Sequence, residues 1–135
     1  MVVVRIVNNM NLKTSIAIGI GGAIGTLFRY TISLIFMTNS GFPIATFLIN
    51  LSGCFILSFI LTFSHIKWKK QPLSIIAFNV GVIGSFTTFS TFVVEVAQLF
   101  PSHLGFALLY AFGSIIGGII CAFSGYYIAH MLEIR

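Results

Sequence analysis

The spacing of the charged residues is the feature that most constrains this chain. No Asp, Glu, Lys or Arg occurs in residues 30–66, 71–94 or 96–132. About 20 apolar residues cross a bilayer as a helix, so these intervals leave room for several crossings. Only 7% of the residues are charged and the mean hydropathy is +1.09, whereas about a quarter of the residues of a soluble domain are charged. The sequence therefore predicts an all-α integral membrane protein.

Proline positions divide the apolar sequence into four predicted crossings. Pro43, Pro72 and Pro101 stand at or just before the starts of the last three. Proline is favoured at a helix start because its missing N–H would be unpaired there anyway. We expect a single transmembrane domain over residues 1–135, without a soluble domain, and helices over about 15–37, 43–65, 72–100 and 103–132.

The basic residues predict how the chain is oriented. One predicted side, which carries both termini and the middle connection, has six of the seven basic residues: Arg5, Lys13, Lys67, Lys69, Lys70 and Arg135. Arg29, in the first helix, lies nearer the other side. Because Lys and Arg are enriched in cytoplasmic loops, we expect a multi-pass protein of the cell membrane with its N- and C-termini in the cytoplasm.

The segment GSFTTFSTF, residues 84–92, departs from the apolar sequence around it. Five of the seven residues 85–91 carry hydroxyl groups. Gly81 and Gly84 come just before them, and Gly, Thr and Ser all weaken a helix. The third helix is therefore predicted to be broken at mid-membrane. A continuous helix whose hydroxyls bond back to the preceding turn is the alternative.

Polar residues of the other helices fall on shared faces. Residues four apart stack on a helix, and the second predicted helix has four polar or small residues at this spacing: Thr46, Asn50, Cys54 and Ser58. Tyr110 and Ser114 repeat the spacing on the fourth. Two interpretations stay open, hydrogen bonds between helices or a direct role in function.

The sequence lacks residues and motifs that several classes of transporter and enzyme require. No carboxylate or histidine lies at the centre of a predicted crossing, where a proton-coupled transporter normally needs a titratable group; Glu95, near the end of the third helix, is the only candidate. No Cys/His metal spacing, glycine-rich phosphate loop or nucleophile–base pair occurs, so we do not expect an enzyme.

The neutral hydrogen-bond donors and the phenyl rings, whose edges carry positive partial charge, suit a path for a small anion. A conducting path must bind its ion weakly enough to release it again. Lipid-facing phenylalanine is the alternative interpretation of the rings, since fifteen occur.

Three segments together resemble one known family. GGAIGTLFRY in the first helix, ATFLINLSGCF in the second and GVIGSFTTFSTF in the third closely resemble the Fluc (CrcB) family of fluoride ion channels, and the resemblance covers essentially the whole chain. It implies a fluoride-selective channel that exports cytoplasmic fluoride passively and so relieves fluoride toxicity. It further implies an antiparallel dimer with pores along the subunit interface and a structural Na+ at the dimer centre.

The resemblance also implies roles for individual residues. Asn50 corresponds to the pore asparagine that donates to the permeating anion, and Phe89 and Phe92 correspond to the pair whose ring edges line the path. The backbone carbonyls of Gly84 and Thr87, from both subunits, would hold the sodium ion. The remaining implied positions are polar groups along the pore, an acid near its end and an arginine in a vestibule: Ser90, Thr91, Tyr110 and Ser114, then Glu95, then Arg29.

Two features depart from the family pattern. Ser85 stands where a second glycine is frequent. The charge bias departs further, since a chain that inserts in both orientations should have almost none. Some family members assemble as heterodimers of oppositely oriented chains, so this chain could be one half of a heterodimeric fluoride channel. A small multidrug-type exporter and a non-transporting packing subunit are the competing hypotheses from outside the family.

Overall fold

The computed structural model describes residues 12–36, 41–67 and 72–133. Within these ranges, four helical spans are long and apolar enough to cross a membrane, which confirms the predicted all-α class. The largest difference from the predicted bounds is at the first helix, which begins at Leu12 rather than at residue 15. The elements are α1 (Leu12–Ile35), α2 (Ile44–Lys67), a third span made of α3 (Leu73–Ile76), a π-helical segment (Ala77–Ile83), α4 (Gly84–Phe86) and α5 (Phe89–Leu99), and finally α6 (Leu104–Glu133). Of the basic residues that predict the orientation, four lie outside the described residues: Arg5, Lys69, Lys70 and Arg135.

The third span is broken near its middle, as predicted. Its first half ends at Phe86, and Thr87 and Thr88 then adopt extended backbone conformations, with φ, ψ of −74°, 155° and −145°, 121°. Before the break, seven residues form the π-helical segment. Such wider turns are rare and occur mostly as short insertions in α-helices. The glycine and hydroxyl content predicts the break but not the π-helical segment.

Helices α2 and α6 pack side by side and run in the same direction. A methyl group built on Gly113 would contact the Phe47 ring at 3.7 Å, and further along both helices Ser58 Oγ donates to the Ala122 carbonyl oxygen at 2.7 Å. The residue numbers rise together along the two helices, so the third span makes the return crossing between them.

Helix α1 and the π-helical segment touch backbone to backbone. A Cβ atom built on Gly21 would lie 2.6 Å from the Ala77 carbonyl oxygen, and one built on Gly25 would overlap the carbonyl group of Val82. Small residues let helix backbones approach this closely in lipid. The two glycines therefore hold α1 against the first half of the third span.

A methyl group at Gly25 should destabilise this contact. We expect Gly25→Ala to lower the free energy of unfolding by about 1–3 kcal/mol, because the added carbon meets backbone atoms of Val82, which cannot move aside as a flexible side chain could. The measurement is the thermal unfolding midpoint of the purified protein in detergent. Gly19→Ala on the same helix is the control, since nothing lies within 4 Å of its Cβ position. Equal midpoints for the two variants would contradict the packing.

Candidate functional site

The carboxamide of Asn50 bridges the break in the third span. Its Nδ2 donates to the Thr88 carbonyl oxygen at 3.0 Å, and its Oδ1 accepts from the Thr88 N–H at 2.9 Å. Backbone groups in hydrocarbon must find partners inside the protein, and one side chain of α2 supplies both partners here. The sequence places Asn50 on a polar helix face but does not predict this partner.

Thr88 begins the second half of the span as the N-cap residue of α5. Its Oγ1 accepts from the Thr91 N–H at 3.2 Å, which is the usual bond of an N-cap threonine. Its own hydroxyl donates to Thr91 Oγ1 at 2.9 Å. This role of Thr88 was not predicted from the sequence, although a threonine directly before an apolar helical run is a recognised start signal.

The hydrogen bonds from the Thr88 and Thr91 N–H groups leave two carbonyl groups without their usual helical donors. In a continuous helix the Thr88 N–H would bond to Gly84 O, and the Thr91 N–H would bond to Thr87 O. Here the first donor binds Asn50 and the second binds the Thr88 hydroxyl. The carbonyl oxygens of Gly84 and Thr87 have therefore lost their helical donors, and Gly84 is exposed on the single chain.

A cavity of about 300 Å³ lies beside the break. Ser114 lines it, and the Ser114 hydroxyl oxygen is buried and has no hydrogen-bond partner among the described residues. Asn50 Nδ2 has a second N–H, because a carboxamide nitrogen carries two donors and only one hydrogen bond from it is observed. The described lining thus combines neutral donors and no charged group. This Asn50 cavity is lined by Asn50, Gly53, Cys54, Leu57, Thr87, Thr88, Phe89, Phe92, Ser114 and Ile115.

Two phenylalanine rings form one wall of the Asn50 cavity. The ring centroids of Phe89 and Phe92 are 6.0 Å apart, with planes inclined at 40°. Phe89 is 78% exposed on the protomer, whereas Phe92 is half-buried and lies 5.2 Å from the Tyr110 ring. The edge of a phenyl ring carries positive partial charge, so both rings have the chemistry to contact an anion in the cavity.

Glu95 belongs to a separate cluster. Its Oε1 accepts from the Thr46 hydroxyl at 2.8 Å, and its Oε2 accepts from the Tyr110 hydroxyl at 2.7 Å. Tyr110 is fully buried and contacts three phenylalanine rings, including that of Phe92. Tyr110 therefore does not line the Asn50 cavity but holds the carboxylate next to it.

A second cavity, of about 360 Å³, shares Thr88 with the first. Arg29 and Thr91 lie here rather than in the Asn50 cavity. Ser90 is exposed, has its Oγ 3.4 Å from Thr88 Oγ1, and is absent from both linings. This Arg29 cavity is lined by Thr26, Leu27, Arg29, Tyr30, Ser33, Thr46, Ile49, Thr88 and Thr91.

The structure thus places most of the candidate residues, but not Ser90 or Gly84, in three neighbouring groups. The largest group meets in the Asn50 cavity and contains Asn50, Thr87, Phe89, Phe92 and Ser114. Glu95 and Tyr110 form the hydrogen-bonded cluster, and Arg29 and Thr91 line the second cavity. All three groups are built around the break and the helix that follows it.

Comparison with known proteins shows what the chain is similar to. A family model described as CrcB-like protein, Camphor Resistance (CrcB), matches residues 16–126, from α1 into α6. A relative from Thermosipho melanesiensis, named fluoride-specific ion channel FluC, is 42% identical over 113 residues, which cover 82% of this chain and 90% of the relative. A relative from Moorella thermoacetica, named fluoride-specific ion channel FluC 1, is 37% identical over 117 residues and 84% of each chain. Another with that name, from Bacillus anthracis, is 43% identical over 121 residues, covering 87% of this chain and 88% of the relative.

The bridge at the break makes a direct prediction. Asn50→Ala removes two hydrogen bonds to Thr88, each worth about 1 kcal/mol, so we expect the free energy of unfolding to fall by about 2 kcal/mol. The Thr88 amide should also exchange its hydrogen faster. Thermal unfolding and hydrogen exchange in detergent measure the two effects. Ser52→Ala is the control, since the Ser52 hydroxyl bonds only to carbonyls of its own helix. An unchanged exchange rate at Thr88 would contradict the bridge.

Proposed function

This chain belongs to the CrcB-like protein family, and from that membership and the geometry of the Asn50 cavity we propose that it is a fluoride-selective ion channel. Three of its relatives, at 37–43% identity over most of the chain, are named fluoride-specific ion channels, and channels are not enzymes. In our proposal the protein lets fluoride leave the cytoplasm passively, down its gradient, and so relieves fluoride toxicity.

The observation that carries the proposal is the content of the Asn50 cavity. Within the described part of the chain, the same space is lined by the two phenyl rings, by Asn50 with its spare N–H and by Ser114, whose buried hydroxyl has no observed partner. Neutral donors and ring edges attract an anion weakly, whereas a fixed positive charge in a low-dielectric site would hold it. The cavity therefore suits an anion that must bind and then leave.

The Glu95 cluster fits this pathway despite its negative charge. Both carboxylate oxygens accept hydroxyl donors, from Thr46 and Tyr110. Two charge-assisted hydrogen bonds spread and partly compensate the charge. In our proposal the acid stands at the end of the path, as the family resemblance implies, with Phe92 and Tyr110 between it and the Asn50 cavity.

We further propose that the channel is an antiparallel dimer with a sodium ion at its centre. The carbonyl oxygens of Gly84 and Thr87 have lost their helical donors, and oxygen atoms of this kind bind hard cations. Two antiparallel copies related by a two-fold axis in the membrane plane would bring four such oxygens together. When bound, the ion supplies the positive charge that holds these oxygens in place.

The composition of the dimer is a separate question. The basic residues favour one orientation, with both termini in the cytoplasm, and a fixed orientation would require an oppositely oriented, paralogous partner. A homodimer requires that the chain insert both ways. The small multidrug-type exporter is not favoured, because the family match covers residues 16–126 and no carboxylate occurs in the described lining of the Asn50 cavity.

Fluoride efflux from liposomes that contain only this chain tests the channel. We expect Phe89→Ile to slow efflux roughly tenfold or more, equivalent to about 1.4 kcal/mol in the barrier, because an aliphatic side chain has no positive ring edge. A fluoride electrode gives the rate, and chloride efflux is measured alongside. Phe123→Ile is the matched control, since Phe123 is 71% exposed on α6 and lines neither cavity.

Each outcome of the efflux measurement has a separate meaning. Rapid, fluoride-selective efflux by the unmodified chain alone would establish a functional homodimer. Folded protein without efflux, restored by an oppositely oriented relative, would establish a heterodimer. Full fluoride efflux by Phe89→Ile would refute the assignment of the pore, and absence of efflux with any partner would refute the channel.

The sodium site makes its own prediction. We expect replacement of Na+ by N-methylglucamine at constant ionic strength to lower the thermal unfolding midpoint of the purified dimer. The effect should shrink in Asn50→Ala, because the Thr88 N–H is then no longer held away from Gly84 O. Equal midpoints with and without Na+ would count against a bound ion.

A further inference from the structure

Arg29 has no counter-charge in the part of the chain that the structure describes. Arg29 is half-buried in α1, and its guanidinium makes no ion pair or hydrogen bond with a described residue. Glu95 does not line the cavity and is connected to it only through its hydrogen bond with Thr46, a lining residue. Its carboxylate already accepts hydrogen bonds from two hydroxyls. A partly buried charge in a membrane helix normally has a partner, so the Arg29 cavity should hold an anion.

The described lining of the Arg29 cavity offers donors and no carboxylate. The hydroxyl protons of Ser33 and Thr46 are directed to the Arg29 carbonyl and to Glu95. Those of Tyr30 and Thr91 have no observed acceptor among the described residues. With the guanidinium, they give the cavity a set of free donors from two different spans.

The Arg29 cavity is large enough for a polyatomic anion. About 360 Å³ falls within the range of small-molecule sites, roughly 300–1,000 Å³. A planar guanidinium fork binds two oxygens of one oxyanion at once, which distinguishes Arg from Lys in phosphate recognition. The geometry therefore favours an anion with several oxygens.

Arg29 lies just inside the hydrocarbon layer, near the end of α1 that approaches the headgroups. It stands six residues before the end of α1 at Ile35, about 9 Å along the axis. The whole helix is about 36 Å long, longer than the roughly 30 Å hydrocarbon core, and arginine extends its head group toward the interface. Tyr30 beside it is 62% exposed, as aromatic residues at headgroup level are.

We propose that the Arg29 cavity is a binding site for a phosphate-type oxyanion. The group is either the phosphodiester of a membrane lipid or a free phosphate, since both present the same oxygens. Because Thr88 lines this cavity and the Asn50 cavity, an occupant lies next to the proposed fluoride path. The site stands on Arg29 and its cavity, so it is tested by binding and does not require fluoride transport.

Inorganic phosphate is the first probe. Delipidated protein in detergent is titrated calorimetrically with phosphate, with chloride at equal ionic strength as the comparison. We expect Arg29→Gln to weaken phosphate binding about tenfold or more, the loss of one charge-assisted contact, and Arg29→Lys to give an intermediate affinity. Lys13→Gln is the matched control, because it removes the same charge at the opposite, exposed end of α1.

Phosphatidylglycerol is the second probe and identifies the source of the oxyanion. Protein exchanged into this lipid is examined by native mass spectrometry, where we expect one phospholipid per protomer to be lost in Arg29→Gln and retained in Lys13→Gln. Lipid retention without phosphate binding assigns the site to a headgroup, and phosphate binding without lipid retention assigns it to the free ion. Should Arg29→Gln elute as aggregated protein, Thr91→Val removes a lining donor from another span and is expected to weaken binding severalfold. Binding unchanged in the folded variants, or absent for both probes, would overturn the proposal.

Discussion

The pairing of Asn50 with both backbone groups of Thr88 is the interaction on which the candidate site depends. A helix cannot simply stop in hydrocarbon, because each unpaired N–H or C=O there costs several kcal/mol. Asn50 supplies the acceptor and the donor, at 2.9 and 3.0 Å. With Thr88 fixed in this way, its hydroxyl caps α5. The new helix then carries the rings of Phe89 and Phe92 into the same cavity as the carboxamide.

The sequence predicts the elements of this fold more completely than their contacts. The charge-free intervals predict four spans because hydrocarbon thickness and backbone pairing permit few structures, and the weak helix formers around Gly84 predict the break because helix propensity is local. The partners of Asn50 and Glu95 are not local, since Thr88 lies 38 residues from Asn50 and Thr46 lies 49 residues from Glu95. A polar face shows that a partner is needed but not which residue supplies it. The hydroxyl of Tyr110 illustrates this, because the resemblance implies only a polar group along the pore, whereas the structure shows a bond to Glu95 and no place in the lining of the Asn50 cavity.

Fixed charges are kept out of the Asn50 cavity by the way in which the neighbouring polar residues are paired. Glu95 is turned toward two hydroxyl donors, and Arg29 faces a different cavity. A full charge acts several times more strongly at low dielectric than in water, so either residue inside the cavity would trap or repel an anion. The Ser114 hydroxyl and the ring edges give weaker interactions, and weak binding is what passage requires.

The same break accounts for the proposed cation as well as for the proposed anion path. Redirecting the N–H groups of Thr88 and Thr91 satisfies those donors but removes them from the carbonyl oxygens of Gly84 and Thr87. Oxygens that have lost these donors would repel one another when a second copy brings them together. A cation is a partner that satisfies several acceptors at once. Its positive charge would also lower the cost of bringing an anion into the neighbouring, uncharged cavity, so the proposed dimer, the proposed ion and the proposed anion path all rest on a single interruption of one helix.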